Sequence, residues 1–129
     1  MPVKIILDAN FLMVPAQFGI DIFEEMTNLL NKKTEPTLLT PIYRELQKIA
    51  ASKHPKRRLE ARLALKLAEK CRIVKTEPSA DETVDDLIVR LAKKWKCLVA
   101  TNDRELRKKL KKKAVPVIFL RQKTHLECE

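Results

Sequence analysis

The sequence predicts an α/β fold: a single three-layer α/β/α sandwich around a mostly parallel central sheet of about five strands. Three observations carry this. Short apolar runs alternate with stretches of helical periodicity along the whole chain. A polar residue follows the strand-like runs, as where strands of a parallel sheet end. The 129 residues contain no repeat, linker or low-complexity segment, so one domain over 1–129 is expected.

The elements follow in order. Val3-Lys4-Ile5-Ile6-Leu7 reads as the first strand and stops at Asp8-Ala9-Asn10. Residues 10–19, with Pro15, read as a loop. A helix begins near Ile20, with Ile22, Phe23, Met26, Leu29 and Leu30 at helical spacing. Pro36-Thr37-Leu38-Leu39-Thr40 is the second strand. Thr40-Pro41 then supplies an N-cap with proline in the first helical position, and Ile42, Leu46 and Ile49 form the buried stripe. After the break at Ser52-Lys53-His54-Pro55, a helix spans Arg57 to Lys70. Arg72-Ile73-Val74 is the third strand. Two capping boxes compete to start the next helix, Ser79 with Glu82 and Thr83 with Asp86; it runs to about Lys94. Cys97-Leu98-Val99-Ala100 is the fourth strand, ending at Thr101-Asn102-Asp103. A basic helix spans Arg104 to Lys112. Residues 115–120 form the fifth strand, whose Pro116 predicts an edge position. A loose tail is expected from about residue 122.

Composition excludes several classes. No apolar run approaches the roughly 20 residues of a membrane span, and an acid at position 8 comes too early for a signal peptide. A cytoplasmic protein is expected. Cys71, Cys97 and Cys128 are odd in number and widely spaced, which indicates neither a disulfide framework nor a zinc finger. The single Gly19 excludes Walker and dinucleotide glycine loops. The charged share, 34%, with abundant Lys and Glu, resembles heat-adapted proteins. With 27 basic and 17 acidic residues the net charge is +10, so a polyanion such as nucleic acid is the first partner to consider.

The acids fall where that fold binds ligands. Asp8 follows the first strand and Asp103 the fourth. Glu45 lies early in the helix after the second strand, and Asp85 or Asp86 begins the helix before the fourth. If the first and fourth strands are neighbours, these carboxylates converge on one sheet edge. Clustered carboxylates repel one another and resist desolvation unless a cation joins them. Hard oxygen donors suit Mg2+ or Mn2+, and such ions activate water against a phosphodiester. Simpler roles compete: Asp86 as capping partner of Thr83, Asp103 as N-cap of the basic helix, Asn10 and Thr101 as turn formers.

The set in this order resembles PIN-domain ribonucleases over almost the whole chain. Four segments carry the resemblance: Leu7-Asp8-Ala9-Asn10-Phe11, the Glu45 of Thr40 to Leu46, Val84-Asp85-Asp86-Leu87, and Ala100-Thr101-Asn102-Asp103-Arg104-Glu105-Leu106. The resemblance implies a metal-dependent endoribonuclease using Mg2+ or Mn2+, with Asp8, Glu45, Asp85 and Asp103 as catalytic, metal-binding acids. Asp86 shares or replaces the role of Asp85, and Asn10 and Thr101 support the acids by hydrogen bonding. Within the family the chain looks most like the archaeal and eukaryotic proteins of ribosomal RNA processing. It lacks the Asp-Thr-Ser step common in toxin-type members, so precursor rRNA is the expected substrate and a homodimer is plausible by resemblance.

Two basic groups are the expected RNA contacts. One comprises Arg104, Arg107, Lys108, Lys109, Lys111 and Lys112; the other includes Arg57 and Arg58. Aromatic residues are only 5%, which favours backbone contact over base stacking. The competing readings are a non-catalytic RNA-binding PIN scaffold and a toxin-type ribonuclease. A phospho-receiver domain is disfavoured because the first strand offers Asp8 alone, and an Asp-x-Asp phosphatase because Asn10 occupies the second position.

Overall fold

The computed structural model describes residues 2–129. The elements are β1 (Val3–Leu7), α1 (Ala9–Leu12), α2 (Val14–Phe18), α3 (Ile22–Leu30), β2 (Thr34–Leu39), α4 (Thr40–Ala50) and α5 (Pro55–Leu67). They continue, after a 3-10 turn at Ala68–Lys70, with β3 (Arg72–Val74), α6 (Val84–Trp95), β4 (Leu98–Ala100), α7 (Arg104–Lys112), β5 (Val117–Arg121) and β6 (His125–Cys128). The six strands form one sheet in the order β3-β2-β1-β4-β5-β6. Neighbours are parallel except β5 and β6.

The chain builds outward from β1 through β2 to β3, then returns to place β4 on the other side of β1. That reversal makes the β1–β4 boundary the switch point of the sheet. Because strand–helix–strand crossovers are right-handed, the reversal also sends α6 and α7 to the face opposite the earlier crossovers. The β1 residues Ile5, Ile6 and Leu7 are fully buried, as expected for a central parallel strand covered on both faces. Leu38 and Leu39 of β2, Val99 and Ala100 of β4, and Val117 and Ile118 of β5 continue the same core.

Three expectations change. The expected loop after β1 is two short helices. Asp8 caps α1 through a hydrogen bond from Ala9 N, and Phe11, Leu12, Met13 and Val14 are all buried. Gly19 ends α2 with φ +67, the left-handed region that a side chain resists. The expected tail is β6, antiparallel to β5 with Leu126 buried. Residues 122–124 make the connection, with Gln122 at φ 54 and Lys123 at φ 61. Such positions usually carry Asn or Gly, so the hairpin has no turn signature. Pro116, finally, does not mark an edge: it precedes β5, and β6 covers the outer side of that strand.

The competing starts of α6 resolve in favour of Thr83. Asp86 N donates to Thr83 Oγ1 at 3.1 Å and Thr83 N donates to Asp86 Oδ2 at 3.3 Å, closing a capping box. Glu82 instead accepts from Ser79 N and holds Arg90 in a bidentate pair.

Candidate active site at the sheet switch point

The pairing of β1 with β4 aligns Leu7 with Ala100, so the next residues, Asp8 and Thr101, emerge side by side. Asp8 N donates to Ala100 O at 3.0 Å. Both side chains are buried, and Thr101 Oγ1 donates to Asp8 Oδ2 at 2.7 Å. Asn10 Nδ2 donates to the same oxygen at 3.1 Å, while Ala9 N donates to Oδ1 at 2.9 Å. Asn10 Oδ1 accepts from Asn102 N at 3.1 Å, and Asn102 Oδ1 accepts from Leu120 N at 2.8 Å. One polar chain thus ties the ends of β1 and β4 to β5. It holds the Asp8 carboxylate in a fixed orientation.

The other acids arrive on helices. Asp103 caps α7, its Oδ1 accepting from Glu105 N and Leu106 N at 2.8 and 3.2 Å. Its own N–H donates to Thr101 Oγ1 at 3.1 Å, which couples this cap to the Asp8 network. Asp85 lies in the first turn of α6 and Glu45 in the first half of α4. Asp8, Glu45, Asp85 and Asp103 all line one cleft of about 670 Å³. Asp86 does not line it; the residue is turned to Thr83 and to Lys109, whose Nζ lies 3.3 Å from Oδ1.

The carboxylates repel one another. Burial raises the Asp8 pKa to about 6, with further upward pressure from Glu45 and Asp85; the hydrogen bonds from Thr101 and Ala9 oppose it. Glu45 sits on the solvent-accessible rim, yet displacement of water by the cleft wall and then the charge of Asp85 raise it. Arg57 and Lys48 pull it down. Asp85 is raised by partial burial and then by Asp103, against the pull of Lys109. Asp86 is lowered, first by its hydrogen bonds with Thr83. Among the described residues no three His, Cys, Asp or Glu side chains close into a ready ligand cage. The acids instead stand around the cleft as oxygen-only donors whose mutual repulsion a hard divalent cation would relieve. Their chemistry fits Mg2+ or Mn2+.

The basic residues divide. Arg57 lines the cleft; Arg58 does not. Arg107 stacks on Phe119 at 3.9 Å and pairs with Glu129 at 2.9 Å, so it is committed to holding α7 on the β5–β6 hairpin. Lys109 pairs with Asp86, and Lys108 lies 3.7 Å from Glu105. Arg104, Lys111 and Lys112 are exposed. Sequence reasoning missed Arg44 and Lys48, which line the cleft with Glu45. Lys48 follows Glu45 by one helical step on the same face, a signal that helical spacing could have supplied. Asn102 was also missed, because its two partners, Asn10 and Leu120, lie 92 and 18 positions away in sequence. A further tie was not foreseen: Thr40 Oγ1 donates to Thr76 O at 2.7 Å and accepts from Thr76 N at 3.1 Å. It pins the segment after β3 to the start of α4, and Arg44 pairs with Glu77 there.

Comparison with known sequences agrees with this geometry. The family described as a PIN like domain matches residues 5–123. This chain belongs to the PIN-domain family. The PIN domain is 34% identical over 128 residues to Ribonuclease VapC4 of Methanocaldococcus jannaschii, covering 96% of this chain and 95% of that one. It is 32% identical over 120 residues to the rRNA-processing protein fcf1 of Schizosaccharomyces pombe, covering 91% of this chain but only 58% of that longer protein. In three dimensions it is similar to the PIN domain endonuclease Utp24, with TM-score 0.79, 30% identity, and 99% and 92% of the two chains covered. A VapC ribonuclease, an rRNA-processing protein and a PIN domain endonuclease are therefore among its relatives.

Proposed function

We propose that this PIN domain is a metal-dependent endoribonuclease that hydrolyses RNA phosphodiesters, with ribosomal precursor RNA as its substrate. The observation that carries the reading is the convergence of four carboxylates, from β1, α4, α6 and α7, on one cleft of a chain with net charge +10. Asp8, Glu45, Asp85 and Asp103 would hold Mg2+ or Mn2+. A bound divalent ion supplies Lewis acidity and an activated water at neutral pH. Thr101 and Asn10 fix the Asp8 carboxylate, so its orientation does not depend on the substrate. Arg44, Lys48 and Arg57 offer cations to the phosphates on either side of the bond to be cut.

The similarity to the rRNA-processing protein fcf1 over 91% of this chain supports the precursor-rRNA substrate. A second reading, action as a VapC-type ribonuclease, is favoured by one observation: VapC4 matches this chain nearly end to end in both directions. The test is incubation of the purified chain and Mn2+ with two transcripts, a precursor rRNA spanning a processing junction and a structured RNA unrelated to rRNA. Cleavage at one junction, leaving 5′-phosphate and 3′-hydroxyl ends, supports rRNA processing. Cleavage of the unrelated RNA alone contradicts the precursor-rRNA substrate and leaves the VapC-type reading. Cleavage of neither, under conditions where the RNA is bound, contradicts both.

A further inference from the structure

A second concave surface lies beside the cleft, between α6 and α7. This groove, of about 550 Å³, is lined by Asp86, Val89, Arg90 and Lys93 on one wall and by Lys109, Lys112 and Lys113 on the other. Arg90 is held by Glu82 and Lys109 by Asp86. Lys93, Lys112 and Lys113 are exposed and have no ion-pair partner among the described residues. Three uncompensated ammonium groups thus line one groove, from α6, from the last residue of α7 and from the residue that caps it.

The groove joins the cleft directly. Asp86 lines the groove and its neighbour Asp85 lines the cleft. Both helices begin at the acids, α6 with Asp85 in its first turn and α7 with Asp103 as its N-cap. From Asp86 to Lys93 along α6 is about 10 Å at 1.5 Å per residue. Lysines also favour helix C-termini because of the helix dipole. That preference acts around the whole last turn, however, and does not explain two walls facing each other.

Resting on the ribonuclease reading above, we infer that the α6–α7 groove is a track for the RNA backbone, carrying the strand away from the cleft past Lys93 and Lys112. The chemistry favours RNA over an acidic protein. The groove offers no large apolar anchor, Val89 being its one apolar side chain apart from the lysine stems, whereas protein interfaces centre on buried aromatic or aliphatic anchors. Phosphate binding by mobile ammonium groups needs none.

The test measures binding of the full chain to a labelled unstructured oligoribonucleotide in EDTA, so that nothing is cut, over a range of salt concentrations. In the double variant Lys93→Gln/Lys112→Gln the slope of log affinity against log salt falls by about 1.4, about 0.7 for each lysine, with several-fold weaker binding at low salt. The matched double Lys32→Gln/Lys33→Gln, on the turn before β2, leaves the slope unchanged. An unchanged slope in the groove variant, or an equal fall in the control, overturns the track. So does retention of the RNA slope with loss of polyglutamate binding, which would identify an acidic protein partner. Parent protein that binds RNA with the groove-dependent slope yet cuts nothing in Mn2+ contradicts the ribonuclease reading and leaves the track standing.

Discussion

Thr101 and Asp8, separated by 93 positions in sequence, share a 2.7 Å hydrogen bond in which the threonine hydroxyl donates to the buried carboxylate. The same hydroxyl oxygen accepts from Asp103 N at 3.1 Å. One side chain therefore orients an acid after β1 and fixes the cap of α7. Replacement by valine keeps the shape and removes both bonds. Thr101→Val is expected to cost about 1–3 kcal/mol in urea unfolding, since it removes a hydrogen bond to a buried carboxylate and leaves the Asp103 N–H without its acceptor. It also pushes the Asp8 carboxyl further above 6, so metal-dependent activity moves to higher pH; an unshifted pH profile would contradict this role.

Asp8 itself makes stability depend on pH. Its carboxyl is raised from 3.8 to about 6 in the folded chain, so the folded state holds the proton more tightly than the unfolded one. Its contribution is fully favourable below pH 3.8 and is lost as pH rises through 6. The loss amounts to about 3 kcal/mol without metal. Glu45 and Asp85 share this sign while Asp86 and Glu82 have the opposite one, so the relevant quantity is the difference between wild type and Asp8→Asn. Urea unfolding in EDTA should show wild type losing ground against the variant between pH 4 and 7. A constant difference would show that Asp8 is not under this strain.

Asp85 and Asp86 are adjacent and do different work. Asp85 lines the cleft; Asp86 closes the capping box with Thr83 and pairs with Lys109. Asp85→Asn should lower metal-dependent cleavage on the order of 10²-fold or more, with no loss of stability because a repelled carboxylate is removed. Asp86→Ala should lower stability by removing the capping-box partner of Thr83 and leave cleavage within a few-fold. The reverse pattern in parallel kinetics and denaturation would assign the third acid to Asp86.

The β5–β6 hairpin supports the site from behind. Asn102 Oδ1 receives Leu120 N, and Arg107 bridges α7 to Phe119 and Glu129. Leu126→Ala should cost about 2–4 kcal/mol, since the side chain is 5% exposed. Asn102→Ala should cost about 1–3 kcal/mol by stranding a backbone donor, and should also slow cleavage. Thermal unfolding of both variants, with activity measured below the transition, separates the two effects.

The sheet and the four acids were legible because each rests on local signals. Val3–Leu7 and Leu98–Ala100 are apolar runs with an abrupt polar end, and α6 and α7 announce themselves by Thr83 and Asp103 as caps. The neighbouring placement of β1 and β4 entered only as the condition under which the acids could meet, and the sheet order supplies it. What escaped depends on non-local or atypical chemistry. The hairpin turn uses Gln122 and Lys123 where Asn or Gly is usual. The α1–α2 pair is too short for helical periodicity and hides behind Pro15. Arg107 reads as one base in a basic run, and only the fold shows its ring and carboxylate partners. Asn102 is indistinguishable from a turn former until Asn10 and Leu120 are brought to it.

The most direct test compares cleavage of labelled RNA by wild type, Asp85→Asn and Asp103→Asn in Mn2+, Mg2+ and EDTA. Asn is itself a good N-cap, so Asp103→Asn keeps α7 in place while removing the charge. Cleavage that needs the divalent ion and disappears in both variants, with thermal stability retained, is the predicted result. Cleavage that persists in both variants, or in EDTA, would contradict the carboxylate cleft as the place where RNA is cut.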